Sequence, residues 1–197
     1  MTQIIISIGR EFGSGGHLVA QKVAEHYNIP LYSKELLYEI AKKEGYSEKV
    51  IERYDEKPIN IGFMPLPIAG GTIPLEQEIA LKQFEFLKEK ADNNESFVVL
   101  GRCADEILAY NPNLIRVFIT GDKESKVARV MEREGLERKQ AETKMRKIDK
   151  MRKTYHNFYC ENKWGDSRGY DLCINTAKID IDSAKNIIVE YEKSLHK

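Results

Sequence analysis

Nine residues near the amino end, Gly9–His17 (GREFGSGGH), combine small residues and basic ones in a way suited to holding phosphate. In a glycine-rich turn that opens a helix, several backbone N–H groups can point at the same phosphate oxygens, and the helix N-terminus adds a partial positive charge. The phosphate-loop pattern G-x-x-x-x-G-K-[ST] can be laid over the stretch with Gly15 as its second glycine. Arg10 then stands at the first glycine, Gly16 at the lysine and His17 at the hydroxyl. Gly13, Ser14, Gly15, Gly16 and His17 are the candidate phosphate-binding residues, and Arg10 is placed to supply the charge that a lysine would have carried. The alternative is a glycine turn that only lets a strand and a helix pack closely.

Three further arginines could meet phosphate. Arg102 follows an apolar run and Gly101, where a guanidinium can contact a phosphate through two parallel hydrogen bonds. The alternative for Arg102 is a salt bridge to Asp105. Arg146 and Arg152 lie in the strongly charged segment 137–160. There Arg146, Lys150 and Lys153 share one helix face, Asp149 is spaced to pair with Lys153 and Arg146, and Arg152 points elsewhere. Such runs are often only solvated faces, so one or two of these arginines are expected to do chemistry.

These residues need a scaffold, and the hydrophobic pattern supplies one. Short apolar runs at 3–8, 29–32, 96–100, 114–120 and 171–175 read as strands, most of them buried on both faces. Helical stripes alternate with them: His17–Tyr27 with Leu18, Val19, Val23 and Ala24 inward, a helix from Ser33, a short one from Ser47, and Leu75–Ala91. A short turn of helix follows through Ile107 and Leu108. Next come a helix capped by Asp122 and ending at Gly135, the charged segment, and a last helix from near Asp182. That last helix is expected to turn Ala184, Ile187, Ile188, Tyr191 and Leu195 inward. Alternating strands and helices predict an α/β fold with a parallel sheet covered on both faces. Ligands of such sheets sit at the carboxyl ends of the strands. The residues to watch are therefore Gly9–His17, the region of Ser33, Gly101 with Arg102, Gly121 with Asp122, and Asn175 with Thr176. Proline and glycine from 58 to 74 predict a long irregular stretch, and its apolar positions (59–74) point to a packing partner such as a second subunit.

The order of GREFGSGGH, LYSKELL (31–37), VVLGRCADEIL (98–108), RVFITGDKESKVARVMEREG (116–135), IDKMRKTYHNFY (148–159) and YDLCINT (170–176) resembles the cytidylate-kinase-like family, a branch of the P-loop nucleoside monophosphate kinases. The resemblance implies a three-layer P-loop kinase-like fold: a five-stranded parallel sheet flanked by helices, with a helical lid. It also implies a single domain over 1–197, with a mobile acceptor-side segment at about 33–74 and the lid at about 137–160. By position, Gly13–His17 would hold the donor phosphates, Arg102 the acceptor's phosphate, and Arg146 and Arg152 the transferring group. Arg129 and Arg133 lie on the helix leading to the lid. Ser33 would stand near the acceptor nucleotide, and Asn175 and Thr176 near the donor base. The implied reaction moves the terminal phosphoryl group of ATP, with Mg²⁺, to a nucleoside monophosphate, CMP or dCMP above all. Asp105 is the nearest carboxylate after the strand that precedes Arg102, and the metal ligands are left unassigned.

Composition narrows the field. The 197 residues carry 31 Lys and Arg against 31 Asp and Glu, so no overall field favours nucleic acid or an acidic membrane surface. No apolar run has the length of a membrane span, and the first residues show no basic leader, which predicts a cytoplasmic protein. Cys103, Cys160 and Cys173 are widely spaced and form no C-x-x-C pair, as expected of packed thiols in a reducing compartment. Two other readings stay open: a weakly active or inactive nucleotide- or anion-binding protein on the same scaffold, and a kinase of a non-nucleotide acceptor.

Overall fold

The computed structural model describes residues 2–33 and 74–195. The helices expected from Ser33 and Ser47, and the irregular, apolar stretch up to residue 73, lie outside the described residues. Among those described, the chain runs β1 (Ile5–Arg10), α1 (Gly16–Tyr27), β2 (Leu31–Tyr32), α2 (Leu75–Asp92), β3 (Phe97–Leu100), α3 (Ala104–Ile107), β4 (Leu114–Thr120), α4 (Lys123–Glu134), α5 (Arg138–Tyr159), β5 (Leu172–Asn175) and α6 (Ile181–Ser194).

The five strands form one parallel sheet in the order β2-β3-β1-β4-β5. The β-branched residues that marked β1 in the sequence divide between its two faces. Ile6 and Ile8 pack with Val19, Val23, Ala184 and Ile188 of α1 and α6, whereas Ile5 packs with Phe86 and Leu87 of α2 and with Phe97. Each fully buried side chain of this kind contributes about 1.5–3 kcal/mol. The two layers of helix therefore clamp the sheet firmly enough for its upper edge to serve as a rigid base.

Two boundaries and the inward faces of two helices differ from the sequence expectation. β1 runs on to Arg10, with Gly9 paired to Phe118 and Arg10 to Ile119. Main-chain pairing does not need a side chain, so Gly9 continues the strand. It is also required there, because a Cβ would lie 2.8 Å from the Phe118 ring. The last helix is capped by Asp180, whose carboxylate accepts from Ser183 N–H at 2.6 Å, while Asp182 pairs with Lys22 at 2.8 Å. Finally, Leu18, Ile187 and Leu195 are exposed, since the inward stripes of α1 and α6 narrow to the residues that face the sheet and each other. Among the described residues, no helix is long and apolar enough to cross a membrane.

Candidate active site

The glycine loop joins the central strand to α1 at the carboxyl edge of the sheet. Gly13 and Gly15 have φ of +82° and +78°, the left-handed region that side chains rarely adopt. The loop is moulded from outside as well as by its own sequence. A Cβ on Gly13 would come within 2.8 Å of the Lys126 carbonyl oxygen and 2.9 Å of Val130 Cγ2 on α4, and one on Gly15 within 2.7 Å of Ile181. Gly13→Ala should therefore cost about 2–4 kcal/mol, the sum of left-handed strain and overpacking. Urea unfolding measures it, and a loss below about 0.5 kcal/mol, the level of an ordinary surface change, would mean that the loop does not rest on α4.

Ser14 and Thr176 are fully buried and hold the loop's shape from beneath. Ser14 Oγ donates to the Glu11 carbonyl at 2.8 Å, and Thr176 Oγ1 donates to the Ser14 carbonyl at 2.7 Å. Arg129 completes this brace, with Nη1 donating to Thr176 Oγ1 at 2.9 Å and Nη2 to the Thr176 carbonyl at 2.5 Å. Beside it the Glu11 carboxylate accepts from Lys126 Nζ at 2.7 Å and from Thr120 Oγ1 at 2.5 Å.

Above the loop lies a cavity of about 910 Å³, lined among others by Arg10, Gly13, Gly15, Gly16, His17, Ser33, Arg102, Arg129, Arg133 and Arg152. The structure thus brings together most of the residues singled out in the sequence. Four of them do not line this cavity. Arg146 is exposed on α5 and donates to Thr143 Oγ1 at 3.3 Å, and Asn175 is exposed with its Oδ1 accepting from Ala177 N–H at 2.9 Å. Ser14 and Thr176 lie below the loop, so their part in binding would be indirect.

Arg102 enters the cavity from an unusual turn. Gly101, Arg102 and Cys103 have φ of +79°, +61° and +56°, three successive left-handed residues of which two are not glycine. Such conformations cost about 1–3 kcal/mol each and persist where the surroundings impose them. Arg102 is only 4% exposed, and its Nη2 donates to the Ser33 carbonyl at 3.4 Å. The alternative reading, a salt bridge to Asp105, has no counterpart among the described contacts. Asp105 instead accepts from His156 Nε2 at 2.7 Å, and both side chains are buried. Burial disfavours the His156 imidazolium, but Asp105 and the neighbouring Cys160 outweigh it and raise its pKa to about 10. Cys160, a free thiol hydrogen-bonded with Cys103 and beside this cation, is held below the usual thiol range.

Helix α5 is fastened to the loop by two of its side chains. Asp149 Oδ1 accepts from Phe12 N–H at 2.7 Å, and Arg152 Nη1 donates to the Arg10 carbonyl at 3.2 Å. Asp149 is therefore committed to the loop, not to the Lys153 and Arg146 partners its spacing suggested. Burial raises its pKa against the opposing pull of Phe12 N–H and Arg152. The Phe12 ring collects cations, with Arg133 at 4.9 Å, Arg152 at 5.7 Å and Lys144 at 5.9 Å from its centroid. Sequence reasoning overlooked Phe12; its signal was a lone aromatic residue inside a glycine loop.

The oxygen ligands that phosphate loops offer to Mg²⁺ are not matched here. His17 replaces the hydroxyl, Asp105 is bound to His156, and no cluster of three metal-ligating side chains occurs among the described residues.

A parallel sheet of this order, a glycine loop after its central strand and arginines gathered over that loop define a P-loop kinase-like protein. The profile of the cytidylate kinase-like family matches residues 5–178, and the chain belongs to that family. It is similar to the cytidylate kinase of Pyrococcus horikoshii, 27% identical over 178 residues that make up 89% of this chain and 81% of that protein. Among solved structures, an uncharacterized protein from Eubacterium ventriosum is 53% identical and aligns over 98% of this chain and 99% of its own, with a TM-score of 0.78. A gluconokinase from Sinorhizobium meliloti, 17% identical over 99% and 97% of the two chains, shares the fold with a TM-score of 0.55.

Proposed function

We propose that the protein transfers the terminal phosphoryl group of Mg-ATP to a nucleoside monophosphate, CMP or dCMP. The observation that carries this reading is the convergence of Arg10, Arg102, Arg129, Arg133 and Arg152 on one cavity that has the glycine loop in its wall. In the proposed complex the donor phosphates are held by the Arg10 guanidinium and by loop N–H groups between Gly13 and His17 other than that of Ser14, which donates to the Glu11 carbonyl at 3.3 Å. Arg102, supported by Ser33, holds the acceptor's phosphate in line. Arg152, carried on α5 as a lid, lies against the phosphoryl group in transit. Phosphoryl transfer asks the protein mainly for positioning and for positive charge where negative charge gathers, in a site from which water is excluded. Arg146 is not carried into this set, and Ser14 and Thr176 serve as supports of the loop.

One observation favours a second reading, binding without turnover: neither a lysine nor a hydroxyl stands at the end of the loop. A radiolabelled transfer assay with Mg-ATP and a panel of nucleoside monophosphates separates the two. Label appearing in CDP or dCDP is the expected result. Saturable ATP binding by calorimetry, with no label moved to any monophosphate, would replace the kinase by a nucleotide-binding protein or by a kinase of another acceptor.

A further inference from the structure

Two of the three departures of this loop from the phosphate-loop pattern, arginine at the first glycine and glycine at the lysine, are coupled in space. A Cβ built on Gly16 would lie 2.6 Å from Arg10 Cβ, 3.1 Å from Arg10 Cγ and 3.3 Å from Ile119 Cβ. Carbon atoms do not approach so closely, so no side chain fits at position 16 while Arg10 is present. Gly16 is a helical residue without a left-handed φ, and space alone requires glycine there. Arg10 has little freedom to step aside. Its backbone is held in β1 opposite Ile119, and its carbonyl accepts from Arg152. The arginine stem therefore crosses the first turn of α1 where a residue-16 side chain would begin, and both residues line the cavity.

We infer that the cation of this loop has been relocated: Arg10 reaches the phosphate site from the strand end, and Gly16 is glycine so that the arginine stem can pass. The steric half stands on the contacts alone, while the electrostatic half rests on the reading of the cavity as a polyphosphate site. A guanidinium presents a planar fork of donors where a lysine presents one point charge, so the relocated cation can bridge two phosphate oxygens at once.

Two measurements on the full chain test this inference. In a stability cycle, Gly16→Ala should lower the urea midpoint strongly in the wild-type background and little or not at all beside Arg10→Gly. Equal loss in both backgrounds would overturn the steric coupling. In calorimetry with inorganic tripolyphosphate and with Mg-ATP, Arg10→Gly should weaken binding at least about tenfold, a change of about 1.4 kcal/mol. The double variant Arg10→Gly/Gly16→Lys should recover most of that loss. Unchanged binding by Arg10→Gly, in a protein whose wild type binds both probes, would overturn the relocated cation and leave the proposed function standing. If the wild type binds neither probe, the electrostatic half and the proposed function fall together, and the stability cycle still decides the steric half.

Discussion

Arg102→Ala should lower phosphoryl transfer by about 10²–10³-fold, the range found when one preorganised charge-stabilising donor is removed. It should also weaken binding of the monophosphate much more than binding of ATP. Arg102 is nearly fully buried at the cavity wall next to Ser33, which the proposed function gives to the acceptor, with the glycine loop and Arg10 given to the donor. Low-dielectric surroundings make a lone phosphate charge costly to hold, so a buried guanidinium there matters more than an exposed one would. Arg102→Lys should restore little, because a single ammonium cannot reproduce two parallel hydrogen bonds. Calorimetry with each nucleotide separately, beside the transfer assay, makes the check. Equal loss of affinity for both nucleotides would remove Arg102 from the acceptor site.

The second large effect is on stability. His156→Ala leaves the Asp105 carboxylate buried without its partner, and breaking a buried pair from one side costs about 3–5 kcal/mol. Asp105→Asn in the same chain should recover part of that loss, since it removes the stranded charge. The pair also predicts a pH dependence. The folded pKa of His156, about 10, stands above the ordinary value of 6.5. Its contribution is therefore complete below about pH 6.5 and declines as the pH rises through 10, because the folded state then has to release a proton that the unfolded chain has already lost. Because the lowered Cys160 thiol acts in the opposite direction over the same range, both chains are compared with Cys160→Ser, where the urea midpoint should fall between pH 7 and 9.5 by more with the pair intact than with Asp105→Asn/His156→Ala. Parallel profiles would mean that His156 is neutral in the folded protein.

Much of this architecture could be seen in the sequence, for reasons particular residues make clear. Ile5, Ile6 and Ile8 announced a doubly buried strand because a parallel sheet hides both faces, and the glycines at 13 and 15 announced a turn because only glycine takes such φ cheaply. Arg102 was visible from its place just beyond a strand. What stayed hidden depends on long-range contacts or on strain. Nothing in the letters of Arg102 and Cys103 tells that both are left-handed. The Asp149 bond to Phe12 joins residues 137 apart in the chain, and helix spacing pointed Asp149 at nearer cations instead. His156 drew no attention in the sequence, because the carboxylate that holds it, Asp105 of α3, is 51 residues away in the chain. Of the acceptor-side segment expected at about 33–74, residues 34–73 lie outside the described residues.

The position of β1 at the centre of the sheet also sets the order in which the chain can fold. Its neighbours on either side are β3 and β4, with Ile5 opposite Phe97 and opposite Leu114, while its own sequence neighbour β2 pairs with β3 instead. During synthesis the first strand therefore waits, strongly apolar, for β3, whose Phe97 lies 92 positions beyond Ile5, and is flanked on both sides only when β4 has followed, with Leu114 109 positions beyond Ile5. Closing loops of that size is entropically costly and delays the sheet, so nascent chains halted before β4 should be the aggregation-prone species.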